Sequence, residues 1–175
     1  MLKRRRFLEG VVASALCLPQ NAYANSFRLP DLEGFNEEGK ATRLSEYYGN
    51  PILAHVWGSY CLPCIADLPF LNDLEQYIHV LGLYDMAGDD LNTARKKIEE
   101  IKEKQNNHAP NILLPTASLL QLNRAYVEQT KERFLAIPTY FLLTKDAECI
   151  YIHRTNLTVE KERKKLQRKI AQLQK

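Results

Sequence analysis

Cys61 and Cys64 stand three positions apart behind Trp57-Gly58-Ser59-Tyr60 and enclose Leu62-Pro63. Thiols at that spacing do redox chemistry. At the start of a helix, positions i and i+3 lie on adjoining turns of one face, so two sulfurs there close a disulfide without unfolding anything. The positive end of the helix favours the thiolate of the first cysteine. Structural zinc, the other common use of a C-x-x-C pair, takes a second pair of ligands at suitable spacing, and none occurs here. No metal and no cofactor is expected.

The elements that must position this pair follow from periodicity. Pro51 to Trp57 is apolar almost throughout, as a central strand covered on both faces should be. A helix is expected from about Cys61 to Tyr77, bent at Pro69, then a strand over Val80 to Tyr84. Asp89 or Asp90 can cap a helix reaching Gln105, with Leu91, Ala94, Ile98 and Ile101 as its buried stripe. Leu119 to Val127 reads as a shorter helix, and Thr139 to Leu143 with Glu148 to His153 as a hairpin turned at Lys145-Asp146-Ala147. Thr158 is expected to cap a last helix whose Val159, Leu166, Ile170 and Leu173 face inward. Phe27 to Leu44, with turn residues at Asn36 to Lys40, suggests a hairpin ahead of the main sheet, and Ser45 a cap for a brief helical turn. Alternating strands and helices followed by a hairpin and helix make an α/β layer fold with a mixed sheet. No repeat or linker divides it.

Residues 1–24 have the parts of an export signal: basic Lys3 to Arg6, a short apolar core over Gly10 to Leu18, and Ala22-Tyr23-Ala24 ahead of a cut before Asn25. The core is far shorter than the ~20 residues of a membrane-spanning helix, so cleavage rather than anchoring is expected, giving a domain over 25–175. Arg4-Arg5-Arg6-Phe7-Leu8 fits the twin-arginine pattern and equally an Arg-rich secretory signal. Cys17 does not make a lipid-attachment site, because bulky Leu16 precedes it. The formal charge of +3 lies wholly in this segment. The neutral remainder gives no reason to propose nucleic acid as a partner, and the basic face of the last helix reads as solvated. An exported chain can hold disulfides; Cys149, left over in a strand, reads as a small buried hydrophobe.

With these parts in order, the chain resembles thioredoxin-fold proteins, and specifically the exported TlpA/ResA branch of disulfide reductases. The resemblance rests on Phe27 to Gly34, on Trp57 to Cys64 with Asp67 and Pro69 after it, and on Ala136-Ile137-Pro138-Thr139 ahead of the hairpin. It implies a thioredoxin-like mixed sheet with helices on both faces and an N-terminal β-hairpin extension. It makes Cys61 the nucleophile and Cys64 the resolving thiol of a redox-active disulfide. Pro138 then takes the cis form, and the backbone at Ile137 is left to pair with an extended substrate. Trp57 and Tyr60 shield the site and shape substrate contact. The proton released on resolving needs an acceptor, because burial disfavours a Cys64 thiolate. Asp67 stands where many members of the branch carry Glu, and His55 where thioredoxins carry a buried acid; His55 reads either as a proton acceptor or as a satisfied core residue. Pro63, where oxidising members often have His, favours reduction.

The resemblance further implies protein disulfides as substrates, a periplasmic or otherwise exported location, a membrane electron donor of the DsbD/CcdA type, and cytochrome c maturation as the commonest task. A disulfide oxidase or isomerase would use the same cysteines. A peroxidase on this fold would need a P-x-x-x-T/S pattern where Ala54 and Gly58 stand. A copper-binding assembly protein could use soft thiolates, but usually spaces its cysteines by three residues, and His79, His108 and His153 form no motif with them. The polar stretch Gln105 to Asn111 is expected to tune partner choice.

Overall fold

The computed structural model describes residues 27–173; the expected export signal lies outside them. In chain order the elements are β1 (Phe27–Arg28), β2 (Glu33–Phe35), β3 (Ala41–Arg43), a 3-10 turn (Leu44–Tyr47), β4 (Ile52–Trp57), α1 (Leu62–Leu74), β5 (His79–Asp85), α2 (Leu91–Gln105), β6 (Asn111–Leu114), α3 (Thr116–Thr130), β7 (Thr139–Leu143), β8 (Glu148–His153) and α4 (Glu160–Leu173). The eight strands form one mixed sheet in the order β1-β8-β7-β4-β5-β6-β2-β3. Among the described residues no helix is long and apolar enough to cross a membrane.

Strand β4 lies near the middle, parallel to β5 and antiparallel to β7, and all six of its residues are buried. Alternation along the strand divides it between two cores. Leu53 and Trp57 face α1, α2 and α4, where Leu68, Leu71, Ala94, Ile98, Leu166 and Ile170 cover them. Ile52, Ala54 and Val56 face Leu122 and Tyr126 of α3 on the other side. Both faces of the sheet are thus closed, which is why β4 carries no apolar–polar alternation.

Several expectations are corrected. The segment from Phe27 to Leu44 divides: β1 pairs with β8 at one edge, while β2 and β3 pair with each other and β2 joins β6 at the opposite edge. Strand β6 went unread because four residues are too few to show a period. Helix α3 starts earlier than expected, behind Pro115, whose φ of −65° suits a helix entrance. Ser45 lies inside the 3-10 turn and bonds Asp31 rather than capping. The Thr158 hydroxyl donates to Asn156 Oδ1, and Val159 is 53% exposed, because α4 begins two residues after Thr158. Helix α1 ends at Leu74, short of Tyr77, and runs through Pro69.

Docking of β2 on β6 leaves no room beside Gly34: a Cβ there would lie 2.6 Å from both Leu113 O and Ile112 Cγ2. Gly34→Ala is expected to destabilise the fold by about 1–3 kcal/mol through overpacking, measured as a lower urea midpoint at unchanged slope.

Candidate active site

The site begins where β4 leaves the sheet. After Trp57 the chain turns through Gly58-Ser59-Tyr60, and the Cys61 amide donates to Gly58 O at 3.0 Å. Cys61 is the N-cap of α1: its Sγ accepts from the Cys64 amide at 3.2 Å, and Pro63 stands in the first turn, where no amide is needed. The two sulfurs are joined, with S–S 1.99 Å and Cα–Cα 5.2 Å. Cys61 keeps 7% of its surface exposed and Cys64 none. Attack from outside therefore reaches Cys61 first, and its thiolate, once formed, sits against an amide donor at the positive end of a helix.

The Ile137–Pro138 peptide is cis. The ladder between β4 and β7 ends at Val56 and Thr139, so Ile137 lies past its last pair, half-buried between the two cores. Tyr60 and Leu62 flank the cysteines, 56% and 76% exposed. The Tyr60 hydroxyl donates to Asp85 Oδ2 at the end of β5, which holds the ring in place, and burial with this carboxylate partner raises its pKa. Trp57 is 1% exposed and sits in the core, where its ring presents almost no surface to a substrate. It packs edge-on to Tyr84, ring centroids 5.0 Å apart, and its Nε1–H donates to Asn111 Oδ1 at 2.9 Å.

Asp67, one turn along α1 from Cys64, is wholly buried. Its Oδ2 accepts from the Tyr140 hydroxyl at 2.5 Å and its Oδ1 from the Leu157 amide at 2.7 Å. Burial raises its pKa above the ordinary 3.8, opposed by these two hydrogen bonds and by Arg163. His55 faces Tyr140 across the β4–β7 pair and stacks on it, centroids 4.6 Å apart, and is also parallel to Trp57 at 6.2 Å. Its Nε2 is buried without a hydrogen-bond partner, and burial pushes the imidazole pKa down from 6.5 to about 3. His55 is therefore neutral at ordinary pH and a weak base. As a core residue it is only partly satisfied, since Nε2 is unpaired.

Cys149 lies in the core on the other face of the sheet, with its thiol pushed up to about 12 by burial, away from the cysteine pair. Among the described residues no group of three or more His, Cys, Asp or Glu side chains could hold a metal. Tyr140 and Leu157 carry no sequence signal for these roles, and Asn111, the end of the polar stretch from Gln105, is a buried partner of Trp57 rather than a surface residue.

No family model matches the chain. The chain is 26% identical over 137 residues to the thiol-disulfide oxidoreductase ResA of Geobacillus kaustophilus, covering 78% of this chain and 70% of that one. It is 40% identical over 58 residues to the thiol:disulfide interchange protein DsbE of Vibrio cholerae, covering 33% and 30% of the two chains. The fold is that of the thioredoxin domain of a thiol-disulfide oxidoreductase from Bacteroides vulgatus: TM-score 0.62, 14% identity, 83% of this chain and 97% of that one.

Two variants separate the buried acid from the buried base. Asp67 holds its proton more tightly folded than unfolded, so stability should fall as pH rises above about 4 toward its raised pKa; Asp67→Asn should lack that slope. His55 is protonated below 6.5 when unfolded but not until about 3 when folded, so stability should be lost as pH falls through that window. His55→Leu should flatten this acid limb and leave the pH profile of Cys61 alkylation unmoved. Urea midpoints across pH and an iodoacetamide rate profile check both.

Proposed function

We propose that this chain, a thioredoxin-fold thiol-disulfide oxidoreductase of the ResA and DsbE type, works outside the cytoplasm as a reductase of protein disulfides. The observation that carries the reading is the pairing of a slightly exposed Cys61 with a buried Cys64 at the N-terminus of α1. In the reduced protein, the Cys61 thiolate attacks one sulfur of a substrate disulfide; the substrate's other sulfur leaves as a thiolate, and a mixed disulfide remains. Cys64 then loses its proton and attacks the Cys61 sulfur, which releases the second substrate thiolate and restores the Cys61–Cys64 disulfide. Two electrons have moved to the substrate.

Asp67 is the acceptor for the Cys64 proton. It lies one turn away, and its raised pKa brings it closer to working pH than an ordinary aspartate. His55, with a pKa near 3, is too weak a base for the same task and serves as the ring on which Tyr140 stacks. Pro138 closes the site beside the sulfurs, and the Ile137 backbone, beyond the end of the β4–β7 ladder, receives an extended substrate segment by strand addition. Tyr60, held by Asp85, forms part of the substrate rim.

The direction rests on Pro63. A histidine there would add positive charge, over-stabilise the Cys61 thiolate and make the disulfide an oxidant; proline adds none. The export signal expected over 1–24 supports an oxidising compartment, where a reductase must be recharged by a dedicated source. A membrane carrier of the DsbD/CcdA type is the proposed donor, and reduction of haem-site cysteines in cytochrome c maturation the proposed task.

The reduction potential of the Cys61–Cys64 pair, titrated against glutathione and dithiothreitol, should lie near about −270 mV or lower. A value near about −120 mV would make the protein an oxidant and reverse the proposed direction. Cys64→Ser should accumulate mixed disulfides with its substrates, and Cys61→Ser should form none.

A further inference from the structure

Trp57 closes β4 at the point where the chain turns toward Cys61, and its indole is held from outside the site. Nε1–H donates to Asn111 Oδ1 at 2.9 Å, and Asn111 Nδ2 donates to Glu37 Oε1 at 2.9 Å. Lys102 Nζ donates to both Glu37 carboxylate oxygens, at 2.8 and 2.9 Å, and to Ala109 O at 2.9 Å. Arg95 Nε fixes the backbone beneath by donating to Glu37 O at 2.6 Å. Four separate segments are thus linked in one chain of bonds that ends on the indole nitrogen: the end of β4, the start of β6, helix α2 and the β2–β3 turn.

The sheet makes room for this chain of bonds. Gly82 is the register partner of His55 on one side and of Asn111 on the other. A Cβ on Gly82 would stand 1.7 Å from Asn111 Oδ1 and 2.9 Å from Trp57 Nε1, so any other residue there would displace the hydrogen bond. Trp57 and Asn111 are 1% and 2% exposed. An indole N–H so deeply buried must be paired or bear the full cost of its desolvation.

We propose that Asn111, Glu37 and Lys102 are positioning residues for the redox pair, a relay that fixes the Trp57 indole and, through it, the Gly58 to Tyr60 turn that presents Cys61. Trp57 and the turn are continuous, and the Cys61 amide bonds back to Gly58 O. A shift of the indole therefore moves the nucleophile directly. The relay makes the N-terminal hairpin part of the active site, although neither strand of that hairpin lies near the cysteines in the sheet order. The inference rests on disulfide exchange at Cys61 and Cys64, in whichever direction the protein runs physiologically.

The test follows the reduced full-length protein, carrying Cys17→Ser so that the redox pair and the buried Cys149 are its only thiols, reacting with dithiobis(nitrobenzoate). The Cys61 thiolate breaks the reagent's disulfide and releases one thionitrobenzoate; Cys64 gives up its proton, attacks the Cys61 sulfur and releases the second. Glu37→Ala should slow the first release about threefold and Asn111→Ala about tenfold, the span expected when one or two buried hydrogen bonds cease to hold the attacking geometry. Both should alter the fluorescence change of Trp57, the single tryptophan, on oxidation. Glu37→Gln, which keeps an acceptor for Asn111, should restore both readouts. A folded Glu37→Ala that reacts at the wild-type rate with unchanged fluorescence overturns the proposal and leaves Glu37 as a hairpin fastener only. Should Asn111→Ala fail to fold, the Glu37 pair of variants decides alone. Wild-type protein releasing fewer than two equivalents would count against disulfide exchange itself rather than against the relay.

Discussion

The carboxyl group of Asp67 is buried on α1 one turn beyond Cys64, and it accepts from Tyr140 on β7 and from the Leu157 amide ahead of α4. A buried carboxyl is stable only where its oxygens are bonded, so this group requires three elements to meet at one place. The active-site helix cannot slide along the sheet without breaking one of these bonds. Everything that needs Cys64 to stay covered while Cys61 stays reachable depends on that docking. Tyr140 serves twice, since its hydroxyl bonds Asp67 while its ring covers His55, and so it sets the depth at which the helix lies over β4.

The proposed exchange asks opposite things of the two sulfurs. A nucleophile must be reachable and ionisable, and Cys61 gains both from its place as N-cap, where the Cys64 amide already points at its sulfur. A resolving thiol must be shielded so that substrate does not capture it, and burial accomplishes this at the cost of a harder deprotonation. The same burial that protects Cys64 raises the pKa of Asp67. One apolar environment thus covers the resolving thiol and raises the pKa of the carboxyl one turn along the same helix, the acceptor proposed for its proton.

Much of this was legible in the sequence because it is local. The C-x-x-C pair, the strand before it and the helix after it are each set by short-range rules, whereas the cis peptide at Pro138 was implied only by the family resemblance. What escaped notice is long-range. Tyr140 meets Asp67 across 73 positions and Asn111 meets Glu37 across 74, and no periodicity marks such partners. The partner of Trp57 is hidden for a related reason: its nitrogen is satisfied from inside by an asparagine in a strand too short to recognise. The segment Phe27 to Leu44 was taken as one unit because its turn is clear, but its ends go to opposite edges of the sheet.

His55 shows how the two polar anchorages bear on one another. It lies between Trp57, tied to Asn111, and Tyr140, tied to Asp67, with its ring nearly parallel to both. Each neighbour is bonded away from it, so neither offers a partner for Nε2. Gly82 beside it on β5 has no side chain to offer one either. An imidazole so enclosed can only be neutral, and a carboxylate at the same position would bring an unpaired negative charge into the middle of the sheet. With His55 the chain avoids a second buried acid close to the pair, and Asp67, the proposed acceptor, is the only buried carboxyl among the described residues. The unpaired nitrogen is then the residual cost of placing a flat polar ring where two other rings must stack.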